Sequence, residues 1–121
     1  MGRPVMHWQI HSKNPDQSTA FYTRLFDWAV STDNALGTRM IDTGSGRGIN
    51  GNIWPAPEAD RGCVSLYVEV DDIPKYIEKA QGLGANVIIP HQKLPDGDEM
   101  AVIVDPEGIP IGLMTSAGTP A

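Results

Sequence analysis

The chain has 121 residues, 40% of them hydrophobic, and its 15 acidic against 9 basic side chains give a formal charge of −6. A chain of this length hides about two thirds of its unfolded surface in one ordinary domain; no apolar run approaches the roughly 18 residues of a membrane span, and the acidic balance disfavours nucleic acid and anionic membranes as partners. The lone Cys63 excludes an internal disulfide framework, and Met1-Gly2-Arg3-Pro4 runs into a strand with no apolar signal region, so a soluble, cytoplasmic protein is expected.

The first element, VMHWQIH from Val5, alternates, with Trp8 and Ile10 on one face and His7, Gln9 and His11 on the other. Asn14 is a good N-cap, Pro15 fits the first helical position and Gln17 sits where a capping box takes Glu or Gln, so a helix starts here. Phe21, Tyr22, Leu25 and Phe26 form its apolar stripe, read as core, and it ends near Asp27-Trp28. Three short strands are predicted over 28–31, 37–42 and 49–54, separated by polar or Gly-rich turns such as TGSGRG. PAPEADRG, 55–62, has the composition of an exposed connection. The pattern then restarts: 63–70 alternates, with Leu66, Val68 and Val70 against Ser65, Tyr67 and Glu69. Asp71-Asp72 cap a helix carrying Ile73, Ile77 and Ala80, which Gly82 and Gly84 stop. Strands over 85–89, 100–104 and 109–114, divided by the turns LPDGDE and DPEG, complete the series.

Each half is therefore strand, helix and three strands. A shift of 58 residues lays Ile10 on Val68, Asn14 on Asp72 and Leu25 on Leu83, and a shift of 60 lays Gly48 on Gly108 and Ile49 on Ile109. Such internal duplication, with too few units for a solenoid, predicts two half-sheets joined edge to edge with their helices covering one face. The expected architecture is one α+β domain over 1–121, with module one about 5–54, a connection at 55–62 and module two about 63–115. Its curved mixed sheet would carry the helices on the convex face and leave an open concave groove.

Three stretches, VMHWQIHSKNPDQSTAFYTRLFDW, YVEVDDIPKYIEKAQGLGANVI and DPEGIPIGLM, resemble the vicinal oxygen chelate superfamily of glyoxalases, bleomycin-resistance proteins and extradiol dioxygenases. The resemblance runs from Val5 to about Met114 and implies two paired βαβββ modules. In its metal-dependent members, ligands come from the first and last strands of each module. His7 falls on the first of those positions, Ser65 stands where a second His is usual, Gly112 stands where an acid is expected, and Asn52 is the counterpart of Gly112 in module one. Catalytic zinc takes about three protein ligands, and a serine hydroxyl and an amide replace imidazole and carboxylate poorly. No bound metal is expected, with His7 the one ligand candidate; His11, on the same face, is badly placed to share an ion with it, and His91 lies in a loop.

The leading expectation is a protein that binds a small organic molecule in the groove without metal, either sequestering it as resistance proteins do or acting on it. His7, Gln9, Asn52, Trp54, Ser65, Tyr67, Glu69 and Met114 are its candidate ligand-binding residues; solvent, core or a subunit interface is the competing place for each. His7 would hydrogen-bond a ligand oxygen, and Trp54 and Met114 would supply an apolar wall. The alternative is a lyase, isomerase or dioxygenase using a divalent metal, with His7 helped by Glu69, His11 or His91 to stabilise an enolate or enediolate. A non-catalytic interaction module is a third reading, and the family habit of pairing modules suggests a homodimer. TGSGRGING precedes a strand and lacks a P-loop lysine, Cys63 reads as a buried inert thiol, and Asp105 and Glu107 read as turn residues.

Overall fold

The fold is that of a computed structural model, which describes residues 2–33, 38–56, 62–95 and 97–115. Its elements are β1 (Val5–Ser12), α1 (Pro15–Phe26), β2 (Ala29–Ser31), β3 (Arg39–Asp42), β4 (Gly51–Pro55), β5 (Cys63–Glu69), α2 (Ile73–Gly82), β6 (Asn86–Lys93), β7 (Glu99–Val104) and β8 (Pro110–Thr115). This is βαβββ written twice, an α+β architecture. Two compact units result, one over 7–65 and one over 66–115 that also takes in residues 2–6. In the second unit the Glu69 N–H donates to the Pro4 carbonyl (3.0 Å), and Arg3 donates to the Tyr76 hydroxyl (2.7 Å) and pairs with Asp71.

Both helices start where capping chemistry places them. Asn14 accepts from the Gln17 N–H (3.2 Å) and Asp72 from the Lys75 N–H (3.1 Å), each satisfying one of the orphan donors of a first turn. Helix α1 stops at Asp27, in the left-handed region at φ 58°, whose N–H bonds the Thr23 carbonyl.

In the first unit the strand order is β2-β3-β4-β1, with β1 and β4 parallel and the other pairs antiparallel. Helix α1 covers the face that carries Trp8. The Trp8 ring stacks near Trp28 (5.2 Å), which meets Phe26 (5.0 Å) and Tyr22 (5.8 Å), and the Ser12 hydroxyl shares a 2.6 Å hydrogen bond with Ser18. Arg39 on that side pairs with Asp16 of the helix. Trp8 faces Gly51 across the strands, and a Cβ there would sit 2.2–2.4 Å from the Trp8 ring and carbonyl. The glycine makes room for the indole.

In the second unit the order is β5-β8-β7-β6, with β5 and β8 parallel and the rest antiparallel. Val70, Ile73, Ala101 and Leu113 form the core on the α2 side, with Val68, Tyr76, Ile77 and Ile103 packed around them. Burying a side chain such as Ile73 contributes about 1.5–3 kcal/mol.

The apolar stripe of α1 departs from expectation. None of its residues is fully buried, and Phe21, Leu25 and Phe26 are all more than half exposed. Four large apolar residues at 21, 22, 25 and 26 span more of the helix surface than one sheet can cover, so Tyr22 reaches the aromatic cluster while Phe21, which meets Tyr22 edge-on at 5.1 Å, and Leu25 stay largely exposed. Cys63, the first residue of β5, is exposed rather than buried. Leu66, on the same strand face as Val68 and Val70, is also exposed. The strand expected over 37–42 is found from Arg39; Gly37, most of the connection (57–61) and Asp96 of the LPDGDE turn lie outside the described residues. Among the described residues, no helix is long and apolar enough to cross a membrane.

Candidate functional site

In the first unit, alternation puts His7, Gln9 and His11 of β1 on the face away from α1. Strand register adds the neighbours: Gln9 pairs with Asn52, His11 with Trp54, Asn52 with Met40, and Met40 with Ser31. Gln9 and Asn52 are each only 7% exposed, so two primary amides are buried side by side on a sheet face that the helix does not cover. The Asn52 Oδ1 is shut away from solvent and has no hydrogen-bond partner among the described residues. A buried acceptor left unpaired costs about 1–3 kcal/mol, so this atom is a standing expense in the folded state. His7 and Gln9 both engage other groups. Burial lowers the pKa of the His11 imidazole, so that at neutral pH it is an uncharged ring. His7 and His11 are four residues apart, about 13 Å along a strand, and cannot share one ion.

Ser65 is buried as well, at the end of the first unit. Tyr67, Glu69 and Met114 belong to the second unit, on the face of its sheet away from α2. Tyr67 pairs with Gly112 and Glu69 with Met114. Tyr67 is 3% exposed and packs with Val102 and Met114, flanked by Ile89 and Met100, so an apolar cluster occupies this face beside Glu69. Burial pushes the phenol up to about 12, so it is protonated across the physiological range. Its ring lies over Gly112, where a Cβ would meet ring carbons at 2.4–2.6 Å.

That contact bears on the metal question. The family resemblance places an acid at position 112, but the glycine there has no donor and the space a side chain would enter is filled by the Tyr67 ring. The remaining positions offer one imidazole, one amide and one hydroxyl, from His7, Asn52 and Ser65. This donor set does not fit the roughly three strong ligands of a catalytic divalent ion. Elsewhere in the second unit, His91 on β6 is held by Glu99 on β7 at 2.5 Å. Among the described residues, no three His, Cys, Asp or Glu side chains come together as a metal-binding group.

The first unit also has a cavity of about 630 Å³ on its helix side, between the end of β1, the first turns of α1 and Gly62–Val64. Ile10, Phe21, Tyr22 and Val64 supply its apolar wall, and the exposed Cys63 opens onto it. Sequence reading missed this cavity by treating Phe21 as core and Cys63 as buried. The signal available was the excess width of the α1 stripe. Met40 was missed too, although the alternation of RMID puts it on the face opposite Ile41.

A family model described as "Glyoxalase-like domain" matches residues 8–114. Two curated relatives, each called "Putative glyoxylase CFP32", from Mycobacterium bovis and Mycobacterium tuberculosis, are 32% identical over 113 residues, covering 86% of this chain and 43% of theirs. The chain thus spans less than half the length of these relatives. Among solved structures, a Streptomyces coelicolor methylmalonyl-CoA epimerase in complex with 2-nitronate-propionyl-CoA matches with TM-score 0.64 and 16% identity over 98% of both chains. The hypothetical protein BH1468 from Bacillus halodurans matches with TM-score 0.71 and 9% identity, over 100% of this chain and 99% of that one. The methylmalonyl-CoA epimerase of Mycobacterium tuberculosis matches with TM-score 0.65 and 13% identity, over 93% and 87%. At such identities these structures speak for a shared fold, and the family match, which spans nearly the whole described chain, decides membership: the chain belongs to the glyoxalase-like family of the vicinal oxygen chelate superfamily.

Proposed function

We propose that this protein binds a small organic molecule against the polar sheet face of its first unit, and does so without a resident metal ion. The observation that carries the reading is the buried Gln9–Asn52 pair, whose Asn52 Oδ1 lacks a partner on a face that α1 leaves uncovered. A buried acceptor such as the Asn52 Oδ1 is costly unless something satisfies it, and a ligand is the occupant that gives it a use. His7, His11 and Trp54 border the pair, providing imidazole hydrogen-bonding groups and an aromatic surface. In the complexes solved for the methylmalonyl-CoA epimerases, the ligands are CoA compounds, which is in keeping with a small-molecule ligand here. The glyoxalase-like family match leaves room for chemistry on that ligand, and the metal-dependent lyase, isomerase or dioxygenase reading is the rival.

The test is a two-dimensional amide NMR titration of the chelator-treated protein with a panel of small aromatics and keto acids. Shifts centred on Gln9, Asn52 and Trp54 in the absence of metal support the reading. Binding that appears only after zinc, nickel or manganese is added favours the rival, and shifts confined to the helix-side cavity overturn the location. The exposed apolar side chains Phe21, Leu25 and Val64 also favour self-association. A homodimer is part of the proposal, and sedimentation giving twice the 13.1 kDa chain mass supports it.

A further inference from the structure

From the electrostatics and hydrogen-bonding capacity of the polar face we infer a ligand class: an uncharged carboxamide or lactam attached to a flat apolar body, with Asn52 as the residue that selects it. This inference rests on the proposed function and narrows it. The described residues of the face are Ala29, Ser31, Met40, Asp42, Asn52, Trp54 and the three β1 residues His7, Gln9 and His11. No lysine or arginine is among them. Arg39, the cation carried by β3, alternates to the other face and pairs with Asp16 of α1. Asp42, the one carboxylate of the face, is turned to its own loop, accepting from the Gly44 N–H (2.8 Å) and the Asn50 side chain (3.4 Å). A carboxylate or phosphate ligand would therefore be desolvated here with no cation to compensate it, which is a large penalty.

What the face does offer is an amide with an unmet acceptor. The Asn52 side chain has one acceptor oxygen and one NH₂ donor, so a cis amide N–C=O edge forms two reciprocal hydrogen bonds with it. Rotating the Asn52 amide by half a turn exchanges Oδ1 and Nδ2, and a carboxamide meets either arrangement. A ketone or ether lacks the donor that Oδ1 needs. Trp54, two residues along β4, gives a flat surface for the ligand's body. Met40, directly opposite Asn52 and substantially exposed, is the flexible side chain whose displacement opens the amide.

The experiment compares benzamide, acetophenone and benzoate by NMR titration and calorimetry, on the wild-type chain and on Asn52→Leu. Benzamide has the amide edge, acetophenone keeps the size and the carbonyl but loses the N–H, and benzoate carries the charge. The expected result is benzamide binding about tenfold or more tighter than acetophenone, as one satisfied buried hydrogen bond implies, benzoate weakest of the three, and loss of the preference in Asn52→Leu. Equal affinity for benzamide and acetophenone, a preference for benzoate, or discrimination that survives in Asn52→Leu overturns the inference while leaving small-molecule binding on this face intact. If none of the probes, nor any compound of the wider panel, shifts the Gln9, Asn52 and Trp54 signals, the proposed function falls with it. The wild-type ratio is decisive by itself should Asn52→Leu not fold.

Discussion

Gly112→Ala is a sharp test of the packing that closes the second unit's face. The methyl would be placed 2.4, 2.4 and 2.6 Å from three carbons of the Tyr67 ring, distances that Cβ atoms essentially never show. Gly112 has none of the positive φ that makes glycine obligatory, so any effect is steric and not a matter of backbone strain. The ring has little room to retreat, since Tyr67 is buried among Val102 and Met114, with Ile89 and Met100 packed behind. Overpacking of this kind costs about 1–3 kcal/mol, which for a chain of this size lowers Tm by roughly 4 °C per kcal/mol. The assay is urea unfolding of wild type, Gly112→Ala, Tyr67→Ala and the double variant. Tyr67→Ala alone should cost about 3–5 kcal/mol through loss of the buried ring. In the double variant the added methyl meets no ring, so the two effects should fall short of additivity by about 1–3 kcal/mol. A Gly112→Ala protein within about 0.5 kcal/mol of wild type, or an additive cycle, would refute the ring-over-glycine arrangement. The same geometry predicts that Gly112→Glu gains no zinc affinity while Tyr67 is in place.

Asn52→Leu should unfold at higher urea than wild type by about 1 kcal/mol or more, because it removes a buried acceptor that no group satisfies; a destabilised variant would mean that the amide already has a structural partner. Asp72→Ala should cost about 1 kcal/mol through loss of the cap on the Lys75 N–H, checked by the same denaturation. His11 has a folded pKa lowered by burial, so its contribution is complete above the unfolded value near 6.5 and is lost as pH falls through the folded value. Stability measured at pH 7.5 and 5.5 should therefore drop more for wild type than for His11→Gln, and an equal drop rules this out. For Tyr67 the sign is opposite. A phenol raised from 10.0 to about 12 binds its proton more tightly when folded, so stability falls as pH rises from about 10 to 12. Ultraviolet titration should show one tyrosinate forming near 12 that is absent from Tyr67→Phe.

Much of the fold was legible because local chemistry and long-range pattern agreed. The Asn14-Pro15 and Asp72 caps set the helix starts to the residue, since a side-chain oxygen three positions before a free N–H is a strictly local device. Strand positions followed from alternation, and their ends drifted where pairing decides them: β6 runs on to Lys93, beyond the expected 89, because β7 offers partners as far as Glu99. The site was less legible. Parity put His7 and Gln9 on one face of β1, and the family resemblance singled out Asn52, but neither showed that the two amides are buried as neighbours, which depends on the parallel register of β1 with β4. Nor does parity distinguish a polar wall from a packed one. Tyr67 and Met114, expected as groove lining, belong to an apolar cluster with Val102 that alternation alone does not reveal.

The two units differ through a one-residue displacement of the same device. Each sets an aromatic ring from its first strand over a glycine of its last strand: Trp8 over Gly51, and Tyr67 over Gly112. Under the internal duplication, however, Tyr67 corresponds to Gln9 and Gly112 to Asn52, each one residue along from the Trp8–Gly51 pair. A shift of one residue on a strand reverses the face. In the first unit the indole therefore joins Tyr22, Phe26 and Trp28 under α1, and the amide pair is left on the other side. In the second unit the phenol occupies that other side, displacing polar groups in favour of Val102 and Met114. Transplanting the device should transplant the character of the face. Gln9→Tyr with Asn52→Gly in the first unit should lay a ring over a glycine, remove the orphan acceptor and abolish small-molecule binding while the fold persists. If that double variant still binds the same compounds with the wild-type affinity, the amide pair is not the recognition element, and the asymmetry between the units has no bearing on function.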